Sequence, residues 1–381
     1  MNAPRMNSTG SAPVFGWDVG GAHVKVSMSG PGGVLLDVGQ WACPLWQGLE
    51  HLEHTIDLVF ERWPAAKTYA AHHAVTMTGE MVDLFEDRSQ GVRAIAAALE
   101  RRLGSRVAFY AGEAGWLTGE TCASGWRSVA SANWLATARW LATRVPNALL
   151  VDVGSTTTDI IPVANGRVVA RASTDAGRLA TGELVYQGVV RTPLCGIAGR
   201  VEFGGAAVNV MNEWFATTAD VYRLTGELAP QYDLYPSADN GPKTELASRR
   251  RIARMIGRDA HETSPAEWRA FALRWRDLQL REISANLMRV TAAHPELAAA
   301  PLVGAGCGRF LVAALAREEA RGYIDFGTLA GGTAGQAEWA ATCAPSVAVG
   351  LLAAARDAAA SEGAYGANAA FRAARGTSCV A

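Results

Sequence analysis

One short pattern occurs twice in this chain, as Val14-Phe-Gly-Trp-Asp-Val-Gly-Gly21 and as Leu149-Leu-Val-Asp-Val-Gly-Ser-Thr-Thr-Thr-Asp159. In each copy, apolar residues with the β-branched and aromatic bias of a buried strand run into an aspartate. Glycines that permit a tight turn follow. A second strand-like piece comes next, Val24-Lys-Val-Ser-Met28 and Ile160-Ile-Pro-Val163, so each copy reads as a β-hairpin with a carboxylate at its rim. Such a hairpin lets backbone N–H groups approach a phosphate closely, and the neighbouring aspartate can hold a metal ion or a water beside it.

Asp-Val-Gly alone is also what an ordinary turn looks like. The second copy tips the reading, because Ser155, Thr156, Thr157 and Thr158 form a run of hydroxyls with no hydrophobic purpose, followed by the carboxylate Asp159. The expectation is a pair of phosphate clamps, with Gly20, Gly21 and His23 in the first and Gly154, Ser155, Thr156 and Thr157 in the second. A third glycine turn, Gly304-Ala-Gly306-Cys-Gly308, closes a strand and opens a helix, the place where backbone donors and the helix dipole favour an anion. Tight strand-to-helix packing explains those glycines nearly as well.

A chain of 381 residues exceeds one ordinary core and fits two domains, and 49% apolar against 19% charged residues excludes global disorder. A net charge of −1 gives no general attraction to nucleic acid or anionic membrane, so an anionic ligand must be held by local groups. The six cysteines are scattered without a Cys-x-x-Cys pair, which argues against zinc and against a disulfide framework. No secretory leader and no apolar run approaching the roughly 20 residues of a membrane span is evident, which makes a cytoplasmic enzyme the expectation.

Strand-like and helical pieces alternate from Val14 to about Arg144, where Pro146 and Asn147 break the chain, and the same order restarts at the second hairpin. The expected division is a first α/β domain over 13–146, a second over 147–333 with a helical insertion, and a C-terminal helix over 334–362 returning to the first. Flexible tails are expected at 1–12 and 363–381. Within the insertion, Val208 to Leu224, Thr244 to Ile256 and Ser264 to Thr291 read as helices, the last opened by a capping box with proline at its first turn. The basic run Arg249, Arg250 and Arg251 reads as a solvated helix face, with carboxylate binding as the lesser alternative. Trp116, Trp126, Trp134 and Trp140 read as core.

Paired hairpins with aspartates and a later glycine turn resemble the actin, sugar-kinase and Hsp70 superfamily. The segments 17–25, 78–83, 153–159, 181–188 and 215–222 are more specifically similar to its hydantoinase A/oxoprolinase branch, and within it to synthases of methanofuran and methylofuran biosynthesis. The resemblance implies an α/β fold of two related actin-like (ribonuclease H-like) domains with a ligand cleft between them. It implies a condensation: aminomethyl-furanmethanol diphosphate joined to the phenol oxygen of γ-glutamyltyramine, giving an aryl ether and pyrophosphate. The phosphate-binding residues would then hold the leaving group.

Asp18 and Asp152 beside a diphosphate would each repel a unit of phosphate charge by roughly 3 kcal/mol at about 5 Å and an effective dielectric near 20. An intervening Mg²⁺ on these two carboxylates is therefore expected. Lys25 reads equally as a cation on the diphosphate and as a solvated strand residue. Candidate bases for the phenol proton are Glu80, Asp83, Asp159 and Glu183, with Glu80 first because it follows the end of a strand. Glu183 also counts among the substrate-binding candidates. Competing readings are an ATP-dependent kinase, an ATP-dependent ring-opening enzyme of the oxoprolinase kind, in both of which ATP is the cofactor, and a non-catalytic actin-like nucleotide-binding module. A homo-oligomer is expected only from base rates.

Overall fold

The computed structural model describes residues 12–359, and the residues expected to form flexible tails, apart from residue 12, lie outside that range. The chain divides into two compact units. The first takes the described residues 12–140, 331–336 and 345–359, and the second takes 141–330 and 337–344.

In the first unit, β1 (Val14–Val19), β2 (His23–Ser29), β3 (Leu35–Ala42), β4 (His72–Met77), β5 (Val107–Tyr110) and β6 (Trp116–Leu117) form one sheet in the order β3-β2-β1-β4-β5-β6. β1 is antiparallel to β2 and parallel to β4, and β4 is parallel to β5. The helices are α1 (Glu50–Arg62), α2 (Arg88–Leu103), α3 (Gly119–Val129) and α4 (Asn133–Ala142). Every residue of β1 is buried, as expected of a central strand covered on both faces. Phe15, Trp17 and Val19 share one core cluster with Ile56 and Val59 of α1 and with Val92, Ile95 and Leu99 of α2.

The second unit repeats this arrangement. Its strands are β7 (Ala148–Val153), β8 (Thr158–Ala164), β9 (Arg167–Val168), β10 (Leu184–Val185), β11 (Arg200–Phe203), β12 (Ala206–Asn209), β13 (Leu302–Ala305) and β14 (Tyr323–Asp325). Five of them form a sheet in the order β10-β8-β7-β13-β14. β7 is antiparallel to β8 and parallel to β13, and β13 is parallel to β14, so strand order and direction match β3-β2-β1-β4-β5 position for position. This duplicated mixed sheet is the two-domain actin-like (ribonuclease H-like) architecture. The helices are α5 (Asp175–Thr181), α6 (Thr218–Thr225), α7 (Glu245–Arg254), α8 (Pro265–Ala293), α9 (Arg309–Glu318), α10 (Phe326–Ala330) and α11 (Ala334–Thr342). α8 opens with the expected capping box: the Ser264 hydroxyl accepts from the Glu267 N–H at 3.2 Å, and the Glu267 carboxylate accepts from the Ser264 N–H at 3.1 Å.

The last described helix, α12 (Ala344–Ala359), brings the chain back to the first unit. Gly16 explains how closely it seats: a Cβ at this position would lie 2.0 Å from the Ser346 carbonyl oxygen, which also accepts the Ser27 hydroxyl at 2.9 Å. The segment expected as one helix from residue 334 breaks at Cys343 into α11 and α12. No single helix among the described residues is long and apolar enough to cross a membrane.

Two further expectations fail. Residues 208–217 are not helical, because Gly204 and Gly205, at φ of 60° and 79°, turn β11 back onto β12, and the Thr217 capping box starts α6 only at Thr218. The arginine run is not a uniformly solvated face, since Arg251 is fully buried, its Nε 2.8 Å from Asp220 and its Nη1 2.9 Å from Asp239. Among the cysteines, Cys43 and Cys122 are buried free thiols whose burial pushes their pKa values up to about 11 and about 12, which suits packing and not reactivity, while Cys379 lies outside the described residues.

Candidate functional site

The two expected hairpins have one backbone. In the first, Asp18 stands opposite Lys25, Val19 opposite Val24, and the Gly20 N–H closes the turn on the His23 carbonyl at 2.9 Å. In the second, Asp152 stands opposite Asp159, Val153 opposite Thr158, and the Gly154 N–H closes on the Thr157 carbonyl at 2.8 Å. Directly opposed residues in an antiparallel pair share a face. Asp18 therefore meets a cation, with Lys25 Nζ 3.6 Å from its Oδ2, whereas Asp152 shares its face with another carboxylate.

That second acid is held inside the unit. Arg178 on α5, fully buried, donates from Nη2 to Asp159 Oδ1 at 2.7 Å and to the Glu183 carbonyl at 3.0 Å. The Glu183 carboxylate accepts the backbone N–H groups of Arg171 at 2.6 Å and of Ala172 at 3.3 Å. Glu183 thus organises the 171–172 segment, a geometry that suits neither a free base nor a diphosphate ligand.

The Gly154–Thr157 turn is buttressed by a strap, residues 187–192, lying directly on it. A Cβ on Gly188 would come within 2.4 Å of Ser155 C and Thr156 N. The Val189 N–H donates to the Gly154 carbonyl at 3.0 Å, and those of Val190 and Arg191 donate to the Ser155 carbonyl at 3.1 and 2.9 Å. The strap is fixed from behind: the Gly188 carbonyl accepts the Thr218 hydroxyl at 2.9 Å and Gln279 Nε2 at 3.0 Å, and Gln279 accepts the Tyr222 hydroxyl at 2.6 Å. The Gly188 carbonyl, the Thr218 hydroxyl, Gln279 and the Tyr222 hydroxyl thus form one connected chain behind the turn. The strap also delivers a cation, since Arg191 Nη1 lies 3.5 Å from Thr156 Oγ1 with its guanidinium 5.8 Å from the Tyr235 ring centre.

The third glycine turn packs against the same strand end. Gly306 has φ of 80°, and a Cβ there would lie 2.1 Å from the Val153 carbonyl and 2.5 Å from Asp152 Oδ1. A Cβ on Gly308 would lie 2.5 Å from Val153 Cγ1, and one on Gly304 would meet the Tyr323 ring at 2.7 Å. The Gly306 and Gly308 N–H groups are engaged by the carbonyls of Ala341 at 2.7 Å and Val153 at 2.8 Å. Gly306 and Gly308 are demanded by close approach to β7 and Gly304 by the Tyr323 ring on β14, and Gly306 brings the turn against the Asp152 carboxylate.

In the first unit, the segment after β4 folds over the first turn: the Thr78 N–H donates to the Val19 carbonyl at 2.9 Å, and a Cβ on Gly79 would sit 3.2 Å from the Gly20 carbonyl. Glu80 follows, buried, its Oε1 accepting the Ser131 hydroxyl at 2.9 Å. His23 is buried in the turn, whereas Asp83 is exposed. Gly21 leaves room for Val82, whose Cγ1 would lie 2.6 Å from an added Cβ.

No group of three or more His, Cys, Asp or Glu side chains poised for a metal occurs among the described residues. A donor set of one or two carboxylates is nevertheless what Mg²⁺ uses when it keeps several waters and takes its other ligands from phosphate. Half-buried Asp152, beside a turn of hydroxyls, fits that description better than Asp18, which already faces Lys25.

The sequence profile of the hydantoinase/oxoprolinase family matches residues 72–324. The chain belongs to this family. Among family relatives it is 30% identical, over 68% of its own length and 76% of theirs, to a Methanocaldococcus jannaschii protein named (4-{4-[2-(γ-L-glutamylamino)ethyl]phenoxymethyl}furan-2-yl)methanamine synthase. It is 32% identical to the Methanococcus vannielii protein of the same name, over 38% of this chain and 65% of that one. Of solved structures, the activator of 2-hydroxyisocaproyl-CoA dehydratase from Clostridium difficile, with bound ADPNP, aligns over 92% of this chain and 97% of that one at 9% identity and a TM-score of 0.46.

Proposed function

We propose that this family member is a transferase of methanofuran-type cofactor biosynthesis that joins aminomethyl-furanmethanol diphosphate to γ-glutamyltyramine. The name borne by its two relatives describes a furfuryl carbon joined through oxygen to the ring of a tyramine-derived phenol. Forming that ether from a diphosphate needs one new C–O bond at the furfuryl carbon. The old C–O bond breaks with its electron pair leaving on pyrophosphate, and the phenol proton passes to a base.

The electron-rich furan assists ionisation, so catalysis consists mainly of stabilising the departing charge. The observation that carries the reading is the strapped Ser155–Thr157 turn, in which hydroxyls and a nearby arginine are held rigidly beside Asp152. In this reading Gly154, Ser155, Thr156 and Thr157 hold the diphosphate and Arg191 stabilises the charge that develops on it. Bound Mg²⁺ on Asp152 would supply further neutralisation of that charge.

Glu80 is the proposed base. It follows the end of β4 and is buried with its Oε1 accepting the Ser131 hydroxyl, whereas Asp159 is held by Arg178, Glu183 is bound by two backbone N–H groups, and Asp83 is exposed. Mass spectrometry of a mixture of the two substrates, Mg²⁺ and protein should show the ether. Arg191→Ala should lower its rate of formation by about 10²–10³-fold and Arg191→Lys by less. No ether from the wild-type protein, or an Arg191→Ala rate equal to wild type, would defeat the reading.

A further inference from the structure

We propose that the second unit carries a separate anion site on α7, fitted to a small molecule bearing two or more phosphate or carboxylate groups. It does not depend on the reaction proposed above. A recess of about 560 Å³ is lined by Leu246, Arg249, Arg250, Arg254, His261 and Thr263, together with Asp259 and Ala260. Residues 246, 249, 250 and 254 follow the three- and four-residue spacing of a single helix face.

The three successive arginines have different fates. Arg251 turns inward and is satisfied by Asp220 and Asp239. Arg249 and Arg250 form no ion pair with a carboxylate among the described residues, and Arg249 Nε is buried with no hydrogen-bond partner. Arg254 reaches only one oxygen of Asp239, at 3.5 Å, and that carboxylate is already bound to Arg251.

The one acid in the lining, Asp259, accepts the backbone N–H of Glu262, and its single charge is outnumbered by Arg249, Arg250 and Arg254. Glu262 in turn binds Arg258 at 2.8 Å. Like charges at four-residue spacing, Arg250 and Arg254, repel, and a buried N–H without an acceptor is costly. A bound anion relieves both.

The ligand class follows from the shape and the donors. A volume within the roughly 300–1,000 Å³ of small-molecule pockets suits a compact ligand. Guanidinium forks match carboxylate and phosphate oxygens two at a time, so one monoanion would leave most of the donors unmet. The His261 ring lines the same recess, whereas the Thr263 hydroxyl already donates to the Glu267 carboxylate.

Calorimetric titration of the full chain with pyrophosphate, and separately with citrate, at about 0.15 M ionic strength tests the site. Saturable binding should appear with at least one probe. It should weaken about tenfold or more in Arg250→Glu, whose side chain is exposed and does not support the fold, and in Arg249→Ala. It should persist in Arg191→Ala, which separates it from the Ser155–Thr157 turn. Pyrophosphate alone binding would identify a phosphate ligand, citrate alone a carboxylate ligand, and both a site that reads charge. Binding of neither probe, or binding unaffected by the α7 variants, would overturn the proposal.

Discussion

The hairpins at Asp18 and Asp152 share strand register and turn closure, yet they differ in charge at the position of the second strand that faces the aspartate. Lys25 answers Asp18 across the first hairpin, and Asp159 occupies that place in the second. The first is electrically closed by its own strands. In the second, the extra carboxylate is neutralised by the remote Arg178, while a strap and a further arginine are brought to the turn. The backbone of a phosphate-type hairpin therefore survives duplication, and the chemistry is set by what loops outside the hairpin deliver to it.

The largest effect expected of this difference is on stability. Arg178→Ala leaves Asp159, with a side chain 14% exposed, without its buried cation, and should destabilise the second unit by roughly 3–5 kcal/mol. Arg178→Met with Asp159→Leu should recover most of that loss, because removing both charges removes the desolvation penalty. Lys25→Met in the first hairpin removes a cation from Asp18, whose side chain is 6% exposed, and should cost less than Arg178→Ala, because that ion pair is longer, 3.6 Å against 2.7 Å, and its lysine is 22% exposed. Denaturant titrations of the variants would read all three, and equal costs for Arg178→Ala and Lys25→Met would break the comparison.

A second difference is in pH response. His73 lies buried on β4 of the first unit, accepting Trp17 Nε1 at 3.1 Å, and its pKa is lowered from 6.5 to about 4, chiefly by burial and also by neighbouring His72. Because the folded state disfavours the charged ring, its contribution is complete above pH 6.5 and is lost as pH falls from there toward 4, amounting to about 3 kcal/mol. Hydrogen exchange followed by mass spectrometry should show protection in the first unit falling over this window. His73→Gln should flatten the dependence, and an unchanged slope would remove His73 as its source.

The glycines give the smallest contrast. Gly306→Ala meets both a φ of 80° and a carbonyl 2.1 Å away, and should cost roughly 1–3 kcal/mol or more as well as displacing Asp152. Gly20→Ala meets the His23 carbonyl at 2.9 Å without a positive φ and should cost less. Thermal unfolding of the two variants ranks them, and the reverse order would contradict the account of the third glycine turn.

Local patterns made the scaffold legible. Runs of apolar strand residues ending in Asp-Val-Gly mark both hairpins, and Ser264, Pro265 and Glu267 mark the start of α8, because strand pairing and helix capping are decided by near neighbours. The helix expected over 208–224 forms only from Thr218; Val208 and Val210 have the two-residue spacing of a strand, and Gly204-Gly205 is a two-residue hairpin signal that could have located β11 and β12. Asp18 and Asp152 were visible as turn aspartates. Arg178 and Arg191 were not, since each reaches its partner from a loop or short helix 19 or 35 residues away, and nothing local announces which arginine returns. Gly188 belonged to a segment noticed by resemblance, but its reason, contact with Ser155 and Thr156, exists only in the fold.

The central claim is that the second turn stabilises a departing diphosphate. Phosphorus NMR of the protein with Mg²⁺, ATP, aminomethyl-furanmethanol diphosphate and γ-glutamyltyramine tests it directly. The account predicts that the furan diphosphate signals give way to pyrophosphate only when the tyramine compound is present, with ATP untouched. Consumption of ATP while the furan diphosphate stays intact would contradict it.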